Sequence, residues 1–140
     1  MSEANKSLIR TVTDEIWNGR RLERIPDLYA IDYVADYRPT APLRHGHDAI
    51  RGMVERSLAG YPDLSFTVRS AFTAGAQFAI EYTMYGSQRV AIGDRPGTGR
   101  AITIDGVLVG TTDAQGRVAA CVDYLDHHDL RRQLGLVPES

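Results

Sequence analysis

One cysteine and one tryptophan are all that 140 residues hold of those types. The lone Cys121 excludes an internal disulfide framework and every zinc or iron–sulfur site built on a cysteine cluster. Charge of one sign is lacking too: 16 Lys and Arg stand against 18 Asp and Glu, a net −2. Phosphate binding needs a basic footprint, so nucleic acid and anionic membrane are poor partners. No apolar run approaches the roughly 18 residues of a membrane span, and Met1 to Arg10 has no signal-peptide core. Glycine-rich phosphate loop, dinucleotide fingerprint, nucleophile elbow, internal repeat and low-complexity tract are all missing. With 43% hydrophobic and 24% charged residues, the expectation is one soluble, cytoplasmic domain.

The first sixty residues read as helix and the rest as strand. Leu8, Val12 and Ile16, with Ile9 and Trp17 beside them, form one apolar stripe. Asn18-Gly19 is expected to end that helix through a left-handed cap. Leu22, Ile25, Leu28 and Tyr29 suggest a second piece with Pro26 in its first turn. A third fits Asp48 as N-cap, with Ile50, Met53, Val54, Ser57 and Leu58 inward, ending before Tyr61-Pro62. From Leu64 the period becomes two. Leu64-Phe66-Val68, Phe78-Ile80-Tyr82-Met84, Ile102-Ile104-Leu108 and Val118 to Asp126 predict four antiparallel strands. Ala74-Gly75-Ala76 and Asp113-Ala114-Gln115-Gly116 read as hairpin turns, and Gly86 to Arg100 as a longer loop.

This is an α+β pattern in which helices cover one face of a curved sheet. Val107 and Val109 oppose Ile104 and Leu108 in phase, and Val122 and Tyr124 oppose Cys121 and Leu125. Strands apolar on both faces are buried on both. The second face is therefore expected to meet another subunit, most simply in a twofold homodimer.

Two groups invite a chemical reading. In Asp126-His127-His128-Asp129, adjacent histidines on a strand point to opposite faces, so a solvated strand end is expected rather than a metal site. Asp123 shares its strand phase with Ala119, Cys121 and Leu125, a face of small and apolar side chains. A carboxylate there is either bonded to an arginine or tyrosine, or is a base whose pKa burial raises. Asp126, in opposite phase, is the second candidate, with a turn or helix cap as its ordinary role. Trp17 reads as core or as pocket lining, and Arg20-Arg21 and Arg131-Arg132 as solvated charges.

The C-terminal stretch Asp123-Tyr124-Leu125-Asp126, followed after six residues by Gln133-Leu134-Gly135, resembles the ending of SnoaL-like polyketide cyclases. Trp17-Asn18, Asp32-Tyr33-Val34, Gly46, Pro62-Asp63-Leu64, and Pro96 with Thr98-Gly99-Arg100 extend the likeness over nearly the whole chain. The resemblance implies a single domain over residues 1–140. It also implies a cone-shaped α+β barrel, in which a curved, mostly antiparallel sheet and three N-terminal helices enclose an apolar cavity, usually in an oligomer. It places the acid/base of an intramolecular aldol closure on Asp123, the residue that strand phase selects independently.

Where those cyclases carry polar groups that hold the substrate carbonyl, a gap-free alignment puts Trp17, Met53 and Val109, which are expected to line the pocket. The resemblance also extends to a branch that hydroxylates anthracycline intermediates with no bound metal or flavin. In that reading Asp123 deprotonates an electron-rich aromatic polyketide, dioxygen is co-substrate, and NADPH acts through a separate reductase. Aldol cyclisation of a polyketide ester is the alternative. A non-catalytic ligand-binding or dimerisation module on the same scaffold is the third reading.

Overall fold

The computed structural model describes residues 2–38, 43–88 and 97–137. Helix α1 (Ser2–Thr11) continues into a wider π-helical stretch, Val12–Asn18. A 3₁₀ turn at Leu22–Arg24 leads to α2 (Ile25–Leu28), with Pro26 in its first turn, where a missing N–H costs nothing. Next come β1 (Tyr29–Arg38), β2 (Arg44–His45) and α3 (His47–Gly60). Four long strands follow, β3 (Ser65–Ala74), β4 (Gln77–Ser87), β5 (Ala101–Thr112) and β6 (Val118–Leu125), and then α4 (His127–Gln133).

All six strands form one sheet in the order β2-β1-β6-β5-β4-β3. The meander β3 to β6 is antiparallel as its alternation predicts, and Gly75 and Gly116 take the positive φ that their turns require. Strands β1 and β2 correct the expectation of helix through residue sixty. Strand β1 lies parallel to β6, and its register shifts between Tyr29 and Val34. That irregularity breaks the two-residue period and leaves Ile31 81% exposed, which hides the strand in the sequence. The longer loop starts later than expected, since Gly86 and Ser87 still pair within β4, and residues 89–96, Pro96 among them, lie outside the described residues.

Two caps also differ from expectation. The residue at positive φ after the first helix is Arg20 (φ 59), not Asn18 or Gly19. Gly19 is right-handed, and a Cβ there would come within 2.7 Å of the Asp14 carbonyl oxygen, so close approach is its reason for being glycine. Arg20 is exposed, as expected, but it is also a tie: its guanidinium donates to the carbonyls of Pro62 and Leu64 at 2.8 and 3.3 Å. Helix α3 starts from Gly46 (φ 80), and Asp48 sits inside its first turn, where a carboxylate complements the helix dipole.

The helices pack on the concave face of the sheet. Ile9, Ile16, Ile50 and Val54 meet Phe78, Ile80 and Tyr82, and a second cluster of Tyr61, Leu64, Ile102, Ile104 and Leu134 closes one end. On β5 the inward positions alternate between side chains and glycines. Gly106 pairs with Tyr82 and Gly110 with Phe78, and a Cβ at either would stand 2.4 Å from its partner's ring. Each ring therefore lies flat across the strand in space a side chain would fill. At Gly110 a Cβ would also meet the Ala120 carbonyl oxygen at 2.7 Å, which is backbone and cannot turn aside. Gly110→Ala is expected to cost about 1–3 kcal/mol of stability, the usual penalty of overpacking. Urea unfolding checks it, and an unchanged midpoint would show that both the Phe78 ring and the β6 backbone give way.

Candidate active site

Between helices and sheet lies a partly open cavity of about 280 Å³. Its helical wall is built by periodicity: Ile50, Met53 and Ser57 recur on one face of α3, and Ile9, Val12 and Trp17 come from the first helix. Its sheet wall takes the inward residues of each strand, Phe66 and Val68, then Ile80 and Tyr82, then Leu108, then Cys121 and Asp123. Tyr29 and Tyr33 of β1, stacked edge to face at 4.9 Å, close another side, and His127 and Leu130 of α4 a further one. Trp17 meets Phe66 edge-on at 5.0 Å, and Phe66 meets Tyr82 at 5.6 Å.

Asp123 is the only carboxylate among the described residues of this lining. Its Oδ1 accepts a hydrogen bond of 2.7 Å from the Tyr82 hydroxyl. Tyr82 belongs to β4 and Asp123 to β6, so the phenol spans β5 between them and crosses it at Gly106. Burial raises the Asp123 pKa, while the Tyr82 hydroxyl and His127 draw it part of the way back. Burial, the Asp123 charge and the shared hydrogen bond push the Tyr82 phenol upward, so it remains a donor. The Cys121 thiol, buried beside them, is pushed up to about 12 and stays protonated at neutral pH. The arrangement is a desolvated carboxylate with one oxygen fixed and the other without a hydrogen bond among the described residues, in a mostly apolar chamber. Such a group can take a proton from a bound apolar molecule and give it back. Among the described residues, no three His, Cys, Asp or Glu side chains converge to hold a metal.

Strand phase puts Asp123 in the cavity, where it is bonded to a tyrosine and its pKa is raised by burial. Trp17 and Met53 line the cavity as expected, Trp17 serving core and pocket together. Val109 does not. It lies 42% exposed on the convex face, paired with Ala79 and Val122, and its neighbour Leu108 lines the cavity instead. Asp126 stands outside the cavity lining, where its carboxylate accepts the Asp129 N–H at 2.9 Å and caps α4. Sequence reasoning passed over Tyr82, although its inward phase on β4 was plain. It also passed over His127, read as a solvated strand end: the strand stops at Leu125 and the new helix turns His127 back toward the cavity.

The family described as SnoaL-like polyketide cyclase matches residues 7–134. No curated protein sequence matches the chain significantly. Among solved structures, a proposed SnoaL-like polyketide cyclase from Jannaschia sp. CCS1 is similar at TM-score 0.88 and 14% identity, covering 99% of this chain and 96% of that one. AclR of Streptomyces galilaeus, a proposed hydroxylase, is similar at TM-score 0.82 and 20% identity, with 97% and 83% covered. IdmH of Streptomyces antibioticus, a proposed polyketide cyclase, gives 0.82 and 22%, with 94% and 98% covered.

A raised Asp123 pKa has a measurable cost. Between the unfolded carboxylate's value of about 3.9 and the higher folded value, the folded chain binds more proton than the unfolded one. Stability therefore falls as pH rises through that window. Asp123→Asn keeps an acceptor for Tyr82 and removes the titration. Its stability relative to wild type is expected to increase from pH 4 upward until Asp123 is fully ionised. Urea unfolding at several pH values reads this directly, and a constant difference would show that Asp123 is not desolvated.

Proposed function

The chain belongs to the SnoaL-like polyketide cyclase family, and from that premise we propose that it is a polyketide-tailoring enzyme with Asp123 as its general base. The observation that carries this reading is the Tyr82–Asp123 pair at 2.7 Å inside an apolar cavity. Tyr82 fixes the carboxylate's orientation, and the chamber walls hold a neutral aromatic substrate with an acidic C–H or phenolic O–H against its other oxygen. Proton transfer to Asp123 leaves an enolate or phenolate, and two continuations share that step.

The favoured continuation is hydroxylation. The deprotonated, electron-rich carbon reduces dioxygen and becomes a hydroperoxide. Two electrons from NADPH, delivered by a separate reductase, then convert this to a hydroxyl group and water. In this reading the protein contributes orientation, exclusion of water and one base, and the substrate performs the redox chemistry. The apolar side chains of Met53 and Leu108 favour it over aldol closure, which needs donors that polarise a carbonyl. Aldol cyclisation is the second reading, supported by the family's own description. Incubation with anthracycline-type intermediates, with and without reductase and NADPH, separates the two by mass: a gain of one oxygen marks hydroxylation, an unchanged formula marks aldol closure. Binding with no turnover of any intermediate would favour a non-catalytic module.

In either reaction Asp123→Asn is expected to lose about 10²–10⁴-fold in turnover, whereas Asp126→Asn keeps a capping oxygen and loses far less. An Asp123→Asn variant with wild-type turnover would remove Asp123 as the base.

The convex face of the sheet favours self-association. Phe72, Ala79, Val109 and Val122 face one another across β3, β4, β5 and β6, and Phe72 is 66% exposed. A homodimer joined sheet to sheet would bury this row. Sedimentation at micromolar concentration is expected to give a dimer, and Val109→Lys to give a monomer. A monomeric wild type would contradict the proposal.

A further inference from the structure

A carboxylate that takes a proton inside a mostly apolar chamber can act again once the proton has gone back to the bound molecule or out to water, and the walls decide the second route. Tyr82 is a poor carrier, because burial and the Asp123 charge keep its phenol protonated. Cys121 is closed for the same reason of burial. His127 is different. It lines the same cavity, is only half-buried, and acts electrostatically on Asp123. It is also the first residue of α4, immediately after β6 has ended. The Asp126 carboxylate fixes that turn by accepting the Asp129 N–H, so the capping residue holds the histidine in place. An imidazole can accept a proton on one ring nitrogen and release one from the other.

We propose that His127 is the proton outlet of the cavity, receiving from Asp123 the proton taken from the substrate and releasing one to water. This rests on the reading of Asp123 as the base. The substrate C–H bond breaks and its electron pair stays on the substrate. The proton bonds first to the free oxygen of Asp123 and then to one His127 nitrogen, while the other nitrogen gives its proton to solvent.

Hydrogen–deuterium exchange tests the outlet without the natural substrate. The probe is 2-tetralone, a neutral bicyclic ketone with an acidic C–H beside its carbonyl, followed by NMR in deuterium oxide. Quenching of the single tryptophan, Trp17 in the cavity wall, reports binding separately. Wild type is expected to accelerate exchange, and Asp123→Asn to abolish the acceleration. His127→Gln is expected to bind as wild type does but exchange about tenfold more slowly or worse, with rate returning on addition of free imidazole. His128→Gln, at an exposed position, is expected to exchange as wild type. Wild-type exchange in His127→Gln, or a loss that imidazole does not restore, overturns the outlet and leaves Asp123 standing. Equal rates in wild type and Asp123→Asn overturn the base, and the outlet falls with it.

Discussion

A phenol that reaches across one strand to a carboxylate on the next is the contact on which this site depends. Tyr82 and Asp123 lie on strands that do not pair with each other, and the strand between them must leave room. Gly106 leaves it, since any Cβ there would occupy the space of the Tyr82 ring. Three residues on three strands thus form one unit, and the geometry of the carboxylate follows from it. The unit also explains how an ionisable group is kept in an apolar chamber: one strong donor lowers the cost of desolvation without cancelling it. An arginine partner would hold the aspartate permanently charged and weakly basic. A phenol lowers the raised pKa only part of the way.

Apart from Asp123 itself, several of the short motifs shared with the SnoaL-like family are fastenings around that unit. The Asn18 side chain pairs with the backbone of Phe66 in both directions, at 3.0 and 2.8 Å, and so docks the first helix onto edge strand β3. Gln133 does the same to Thr103 of β5, at 2.9 and 3.0 Å. Leu134 is then buried in the end cluster, and Gly135, at positive φ, leaves the space that the Arg100 guanidinium fills. Asp63 accepts the backbone N–H of Ser87 and ties the start of β3 to the end of β4. Each motif uses a side chain to satisfy backbone groups that regular pairing leaves open. That is why weak motifs in a fixed order identify a fold better than they identify a reaction.

The legible parts of the sequence were those in which a single period runs unbroken. Strands β3 to β6 and the inward phase of Asp123 came from alternation alone. Strand β1 was lost because its pairing with β6 shifts partway along and turns Ile31 outward. Val109 was misplaced for the opposite reason. Strand phase already set it against Leu108, but alignment to relatives without a gap overrode that evidence. His127 could not be read from strand phase, because the element carrying the phase ends two residues before it. Tyr82 stood in the correct phase, but its partner is two strands away, and no local pattern records a diagonal contact over a glycine.

The parallel pairing of β1 with β6 bears on how the chain reaches this state. Strands β3 to β6 are neighbours in sequence and can form by successive hairpins, each closing a short loop. Strand β1 has only the two-residue β2 as such a neighbour, at Val34 and Ala35, and its other edge finds its place beside β6, Ala35 against Cys121, after nearly the whole chain has been made. Until then Tyr29 and Tyr33 have no wall to complete, and the chamber stands open along one side. Conversion of an open meander into a cone therefore closes the longest loop in the sheet. During synthesis it waits for the strand that carries the aspartate, so fold and site are completed by the same event.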